Sequence, residues 1–473
     1  MMAVTPEVFN QLVERIRQNN LAVYIGAGFS KPCGMEDWVG LMQPLIKDIG
    51  LSCDPKNPPD LILYAQYVKN QLGRDKIDKT ITTAFSGGRV SNNQLALAKL
   101  NVSEVWTTNY DSMIEKGFDE IGKKYCVKAK ETDLILKDEC RTVPIYKIHG
   151  DWQDPSNCIL TQTDYEDYFK TRQNFINALK TSLLQKTFIF MGFSFNDPDI
   201  KYVLAEIRQS LPDGEMPEHY WVVKNEDKSS IEYERNIENL KTIYKIKAIE
   251  IDDFSDIPEL LNELRYYANR KNIFISGAYL QNDPEASKKD AFISPLASRL
   301  VESGMKIYSG YGLGVGSAVI SGAMKVAYDK KDNENLSKYL DLHPFPQNIS
   351  DPVERREKWT KYREDMCAET GILIVLYGCK WDDNEKKEVN SPGCQQEFEI
   401  AHKNKSVVIP VGSTGYKAKE IFDIVIANPE SYGYNTLGLI ENLKKLNEYN
   451  PVSDVEKLIS VILTIVQECQ EKK

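Results

Sequence analysis

CxxC pairs are missing from all 473 residues, which excludes a zinc ribbon built on such knuckles. The nine cysteines, at 33, 53, 126, 140, 158, 367, 379, 394 and 469, are odd in number and scattered. Such a set reads as reduced thiols and not as a disulfide scaffold. Long apolar runs are missing too. Near the C-terminus Leu458–Val466 spans nine residues and already holds Ser460 and Thr464, where a bilayer crossing needs roughly 20. The opening MMAVTPEVFNQLVERI has neither the basic start nor the apolar core of a signal peptide, so the expected location is the cytoplasm, with no membrane partner. Basic charge is in deficit: 59 Lys and Arg face 69 Asp and Glu, a net −10. That balance gives no overall electrostatic reason to bind nucleic acid. Histidine is scarce, with four residues in the chain.

What is there is an ordinary globular composition, 42% hydrophobic and 27% charged, in a chain too long for one core. Short β-branched runs alternate with amphipathic stretches. LAVYI (21–25), VSEVWT (102–107), VPIYKI (143–148), TFIFM (187–191), HYWVV (219–223) and IKAIEI (246–251) read as strands. In DPDIKYVLAEIRQSL, Asp197 is the expected N-cap and Pro198 the first helical residue. Alternating strands and helices predict a mostly parallel sheet covered on both faces. Residues 31–100 hold no comparable strand and read as a helical insertion. A second series follows in NIFISG (272–277), MKIYSG (305–310), YLDLHPF (339–345), GILIVLYG (371–378) and SVVIPVG (406–412). Its spacing is that of one strand–helix unit per step. The expected domains are 1–270 and 271–473. The tail from Thr436 reads as helical, and its apolar stripe as core or a subunit contact.

In the first domain four strand ends carry glycine or polar residues, which is where open α/β sheets bind ligands. IGAGFS supplies Gly26, Gly28 and Ser30, suited to a tight turn whose following helix points its N–H groups at a phosphate. VWTTNYD supplies Thr108, Asn109 and Asp111; Asn109 or Asp111 is equally suited to cap the next helix. YKIHGD places His149 after a strand, and MGFSFNDPD places Gly192, Ser194, Asn196 and Asp197 after another.

Taken together, GAGFS, TTNYD, IHGD and GFSFNDPD resemble the dinucleotide-binding motifs of the sirtuins over roughly residues 5–250. The resemblance implies that Gly26, Ala27, Gly28 and Ser30 hold NAD+, with Thr108, Gly192, Ser194 and Asn196. It also implies that Asn109 and Asp111 contact the nicotinamide ribose and that His149 is the general base. Protein-deacylating sirtuins carry a four-cysteine zinc module, which this chain lacks, so no zinc is expected. Nor is there an evident strand-like groove for an acyl-lysine peptide. Nicotinamide leaves as a neutral pyridine and needs no general acid, unlike the leaving group of ordinary glycoside hydrolysis. Asn109 can hold the attacking water or a ribose hydroxyl, and His149 can draw the proton. The expected activity is therefore NAD+ hydrolysis, with NAD+ as substrate and no true cofactor.

In the second domain SGYGLGVGSAVISGA alternates glycine at 310, 312, 314 and 316. It is out of register with GxGxxG, yet it makes an anion cradle before a helix. With ISGAY (Ser276, Gly277) and the strand spacing it resembles the SLOG superfamily. The family's PGGxGT-type loop and following glutamate read here as SPGCQQEFEIA. This keeps Pro392, Gly393 and Glu397 and loses the second glycine and the threonine, which favours nucleotide sensing over hydrolysis. Arg363, Lys380 and Glu397 are the expected grips for phosphates and ribose hydroxyls.

The expected fold class is thus α/β: an N-terminal Rossmann-like sirtuin-type parallel sheet with a helical insertion and no zinc ribbon, then a Rossmann-like SLOG domain. That order resembles the effectors of Thoeris anti-phage defence. The resemblance implies a homotetramer activated by a cyclic ADP-ribose isomer that a TIR-domain partner protein makes, and depletion of NAD+ during infection. The rivals are a protein deacylase, a non-catalytic nucleotide-binding regulator, and a LOG-like phosphoribohydrolase.

Overall fold

The computed structural model describes residues 4–55, 58–135, 142–193, 198–211, 217–225, 231–280, 282–382 and 385–472. The chain divides into two compact units between Arg265 and Tyr266. Asp197, Ser194 and Asn196 fall outside the described residues, as does Cys140.

The first unit is built on seven parallel strands: β1 Leu21–Ile25, β2 Glu104–Thr107, β3 Tyr125–Lys128, β4 Val143–Lys147, β5 Thr187–Met191, β6 His219–Lys224 and β7 Ile246–Ile251. Their order is β3-β4-β2-β1-β5-β6-β7. Every residue of β1 and β5 is buried, as expected of central strands covered on both faces. The order reverses at β1, which pairs with β2 on one side and β5 on the other. A crevice therefore opens beyond the carboxyl ends of β1 and β5.

Helix α1, Pro6–Arg17, precedes β1 and is capped by Thr5, whose hydroxyl accepts the Val8 N–H at 3.4 Å. Between β1 and β2 come α2 Trp38–Asp48, α3 Leu61–Leu72, α4 Arg74–Phe85 and α5 Asn92–Lys99, with no sheet strand among the described residues. These helices bury Leu41, Leu45, Val68, Ile77, Ile81 and Phe85 in a small core of their own, shared with Tyr110, Met113 and Leu160. Arg74 fastens them to the chain beyond β4: it pairs with Asp164 at 2.7 Å and donates to the carbonyls of Pro155 and Cys158. The insertion is thereby packed against the TTNYD and HGD loops. After β2 comes α6, Met113–Glu120.

The second unit has a parallel sheet of β8 Asn272–Ala278, β9 Lys306–Ser309, β10 Leu340–Leu342, β11 Ile372–Tyr377 and β14 Val407–Pro410, ordered β10-β9-β8-β11-β14. It again reverses at its first strand. An antiparallel hairpin of β12 Cys379–Asp382 and β13 Lys387–Asn390 follows β11. The tail forms helices Leu437–Glu448 and Val455–Glu468, whose Leu458, Ile462 and Ile465 join this unit's core. Among the described residues no helix is long and apolar enough to cross a membrane.

Candidate active site and ligand site

At the β1–β5 crevice the two strand ends touch backbone to backbone. The Gly26 N–H donates to Met191 O at 2.9 Å and the Gly28 N–H to Gly192 O at 3.1 Å. A Cβ on Gly26 would stand 2.3 Å from Gly192 O, and one on Gly192 would stand 2.2 Å from Phe29 N. Gly192 also adopts φ +63°, a left-handed conformation that glycine takes without strain. The sequence led us to expect a helix N-terminus aimed at a phosphate; instead two 3-10 turns follow, Ala27–Phe29 and Lys31–Cys33. The amides of Gly26, Gly28, Phe29 and Ser30 donate to main-chain carbonyls. The glycines are thus required for the close approach of two loops, and the segment directly after β1 is 3-10 turn and not regular helix.

Asn109 is tied to this loop. Its Nδ2 donates to Gly26 O at 3.2 Å and to Ser30 Oγ at 3.1 Å, and its own N–H donates to Thr107 Oγ1 at 3.0 Å. Its Oδ1 is buried with no hydrogen-bond partner among the described residues. Asp111 takes the capping role: Oδ1 accepts the Met113 N–H at 2.9 Å at the start of α6. Burial pushes its carboxyl above the usual aspartate range, against the opposing pull of that hydrogen bond and of Lys147. His149 follows β4, is 4% exposed, and meets the edges of Tyr165 and Tyr168 at centroid distances of 5.7 and 5.9 Å.

Ala27, Thr108, Asn109, Asp111 and His149 all line one cavity of about 90 Å3. Clefts that bury whole ligands of drug size run to roughly 300–1,000 Å3, so this cavity suits one ring or sugar of a dinucleotide and not all of it. Its remaining walls are residues that sequence reasoning missed: Glu36, Asp37, Trp38 and Leu41 from the insertion, with Phe85, Tyr110 and Tyr165. The signal was present in EDW, eight residues past Gly28, but residues 31–100 read only as a helical insertion. Asp37 caps α2 by accepting the Gly40 N–H at 2.9 Å, which turns Trp38 toward Tyr165, 6.3 Å away and stacked. Lys147 was also missed; it is fully buried beneath the Tyr110–Asp111 turn. Among the described residues no group of three or more His, Cys, Asp or Glu gathers as metal ligands.

In the second unit Ser276, Arg363 and Glu397 come together. Glu397, 6% exposed, accepts from Ser276 Oγ at 2.6 Å and from Arg363 Nε at 3.1 Å. Arg363 also donates to Gln396 at 3.0 Å and lies over the Phe345 ring at 4.8 Å. Burial raises the Glu397 carboxyl, opposed by Arg363 and Ser276. Gly277 and Gly312 face each other closely: a Cβ on Gly312 would lie 2.5 Å from Gly277 O. Gly310 packs on Phe345, Gly316 on Tyr311, and Gly314, at φ +73°, on the Tyr279 ring. The glycine-rich turn is therefore closely packed and leads into helix Val315–Asp329. Lys380 is exposed on β12 and paired in register with Val389.

Two family models match the chain: a SIR2-like domain over residues 103–249 and the Sir2- and TIR-associating SLOG family over residues 256–469. A protein named NAD(+) hydrolase ThsA from Acinetobacter baumannii (strain 532279) is 34% identical, covering 97% of this chain and 98% of its own. The protein of the same name from Bacillus cereus (strain MSX-D12) is 34% identical over 96% of each chain. Defense-associated sirtuin 2 of Bacillus subtilis is 25% identical over 44% of this chain and 21% of its own length. Kinship at this level across both units, with the SIR2-like strand ends and the SLOG-type cluster in place, means that the chain belongs to the ThsA family.

Proposed function

We propose that the first unit hydrolyses the nicotinamide–ribose bond of NAD+, releasing nicotinamide and ADP-ribose. The observation that carries this reading is that His149 and Asn109 line one ring-sized cavity, with Asn109 Oδ1 buried and unpartnered among the described residues. Full-length kinship to proteins named NAD(+) hydrolase supports it. Nicotinamide departs without protonation and leaves an oxocarbenium-like ribose. The Asn109 oxygen accepts a hydrogen bond from the attacking water or a ribose hydroxyl, and His149 removes the proton as water adds. Asp111 orients the ribose or favours the positive charge that develops on it. Gly26, Ala27, Gly28, Ser30, Thr108 and Gly192 shape the dinucleotide's seat, and Ser194 and Asn196 contribute to it.

The second unit senses a cyclic ADP-ribose isomer. Arg363 and Lys380 serve its phosphates, Glu397 and Ser276 its hydroxyls, and Gly277, Gly310, Gly312, Gly314 and Gly316 the close approach of its backbone partners. The signal comes from a TIR-domain partner protein; the chain works in the cytoplasm as a homotetramer and depletes NAD+ during phage infection. One assay tests the whole reading: NAD+ consumption by purified protein with and without cyclic ADP-ribose isomers, following nicotinamide and deacylated lysine. Release of nicotinamide that needs no acyl-lysine and rises with the isomer is expected. An inert protein, or turnover that requires acyl-lysine, would overturn it.

A further inference from the structure

Lys147 ends β4 and is 0% exposed. An ammonium taken out of water survives only when charge and hydrogen bonds replace its hydration. Here four oxygens do so. Nζ donates to Tyr110 O at 3.1 Å, Asp111 O at 2.7 Å and Glu115 Oε1 at 3.0 Å, and it pairs closely with Asp151 Oδ2. Glu115 belongs to α6, Asp151 to the loop that follows His149, and the two carbonyls to the turn that carries Asn109 and Asp111. A buried ion pair alone would need only the carboxylates. The carbonyl contacts place the same cation under the turn whose side chains line the cavity.

Other contacts make this joint narrow. The Trp152 N–H donates to Tyr110 O at 3.1 Å, and the Gly150 N–H donates to Lys147 O at 3.1 Å. Tyr110 O is thus shared by Lys147 and by the loop three residues beyond His149. Two stretches far apart in sequence, 109–115 and 147–152, meet at one nitrogen, and they hold Asn109 and His149.

We propose that Lys147 is a positioning residue for NAD+ cleavage: its ammonium clamps the Tyr110–Asp111 turn to the His149 loop and so sets Asn109 opposite His149. The kinetic half of this inference rests on the NAD+-hydrolase reading; the structural half does not.

The test uses the full chain as Lys147→Met, Lys147→Met with Glu115→Gln, and Glu115→Gln alone. Readouts are thermal unfolding, kcat and KM for NAD+ with and without a cyclic ADP-ribose isomer, and hydrogen exchange of residues 107–113 and 149–153. In the double variant the buried charges are better matched, so it is expected to fold where Lys147→Met alone is marginal. Its kcat falls about 100-fold, the scale of a misplaced catalytic group, while KM changes less than about threefold. Exchange in the two segments rises about tenfold, with β1 and β5 unchanged. Glu115→Gln, which leaves Lys147 on both carbonyls, keeps kcat within about threefold. A folded double variant with wild-type kcat overturns the proposal, as does a Glu115→Gln loss equal to that of Lys147→Met. If the wild type consumes no NAD+, the hydrolase reading fails by itself. The exchange data then decide the clamp, and protection equal to wild type in either Lys147 variant sinks it.

Discussion

Asn109 Nδ2 donates to Ser30 Oγ at 3.1 Å, while Oδ1 of the same amide is buried without a partner. One end of the side chain ties two loops together, and the other is buried and unsatisfied among the described residues. A buried acceptor left unpaired costs about 1–3 kcal/mol, which a hydrogen bond from a ligand hydroxyl or an attacking water would offset.

Asn109→Ala is therefore expected to lower the rate of nicotinamide release roughly 100- to 1,000-fold, the range for losing one preorganised polar contact to a transition state. Its unfolding temperature should move little, because removing the unpaired oxygen offsets part of the two lost donor contacts. A large loss of stability with turnover preserved would recast Asn109 as a loop tie only.

Gly192→Ala tests the meeting of the β1 and β5 ends. The added methyl would lie 2.2 Å from Phe29 N, at a backbone φ of +63°. Strain at such a position costs on the order of 1–3 kcal/mol, and relief requires the Gly26–Ser30 loop to move. The expected result is a lower melting temperature together with a raised KM for NAD+. Unchanged KM would separate this loop from substrate binding.

The sequence made some of this plain and hid the rest for physical reasons. β1 and β5 are legible because burial on both faces demands unbroken apolar runs. β3, YCVK, escaped notice: it is an edge strand with one buried residue of four, so its pattern carries little core signal. The β12–β13 hairpin, CKWD with KEVN, is charged and largely exposed and was unreadable for the same reason. His149 could be placed at a strand end by counting, yet Lys147, two residues earlier, sat inside the strand VPIYKI with nothing local to mark it. Its burial depends on Glu115, 32 residues away in sequence. Likewise Ser276 and Glu397 were each nameable, but not their hydrogen bond across 121 residues.

His219 gives a pH prediction. It is 1% exposed, its Nδ1 accepts the Phe188 N–H at 3.2 Å, and burial lowers its pKa to about 4 from 6.5. The unfolded chain therefore takes up a proton that the folded chain refuses. This contribution to stability is complete above pH 6.5 and is lost as pH falls from 6.5 toward 4, by about 3 kcal/mol in all. Denaturant titrations should show wild-type stability dropping across that window, and His219→Asn, which keeps an acceptor near Phe188, dropping less. Parallel curves would assign the acid sensitivity elsewhere.

Arg363 and Glu397 supply the last prediction. Their side chains are 11% and 9% exposed and pair at 3.1 Å. Truncating one member of such a pair strands the other, at a cost of about 3–5 kcal/mol, so Arg363→Ala alone confuses stability with ligand binding. Arg363→Lys keeps a charge for Glu397 and loses the planar fork that grips a phosphate through two N–H groups. It should unfold near the wild-type temperature while the cyclic ADP-ribose concentration needed for half-maximal NAD+ consumption rises roughly 10- to 100-fold, the scale of one charge-assisted contact. Because Arg363 lies in the SLOG unit, turnover at saturating ligand should approach the wild-type rate. A stable Arg363→Lys with an unshifted activation curve would remove Arg363 from the effector site and leave it as the neutralising partner of Glu397.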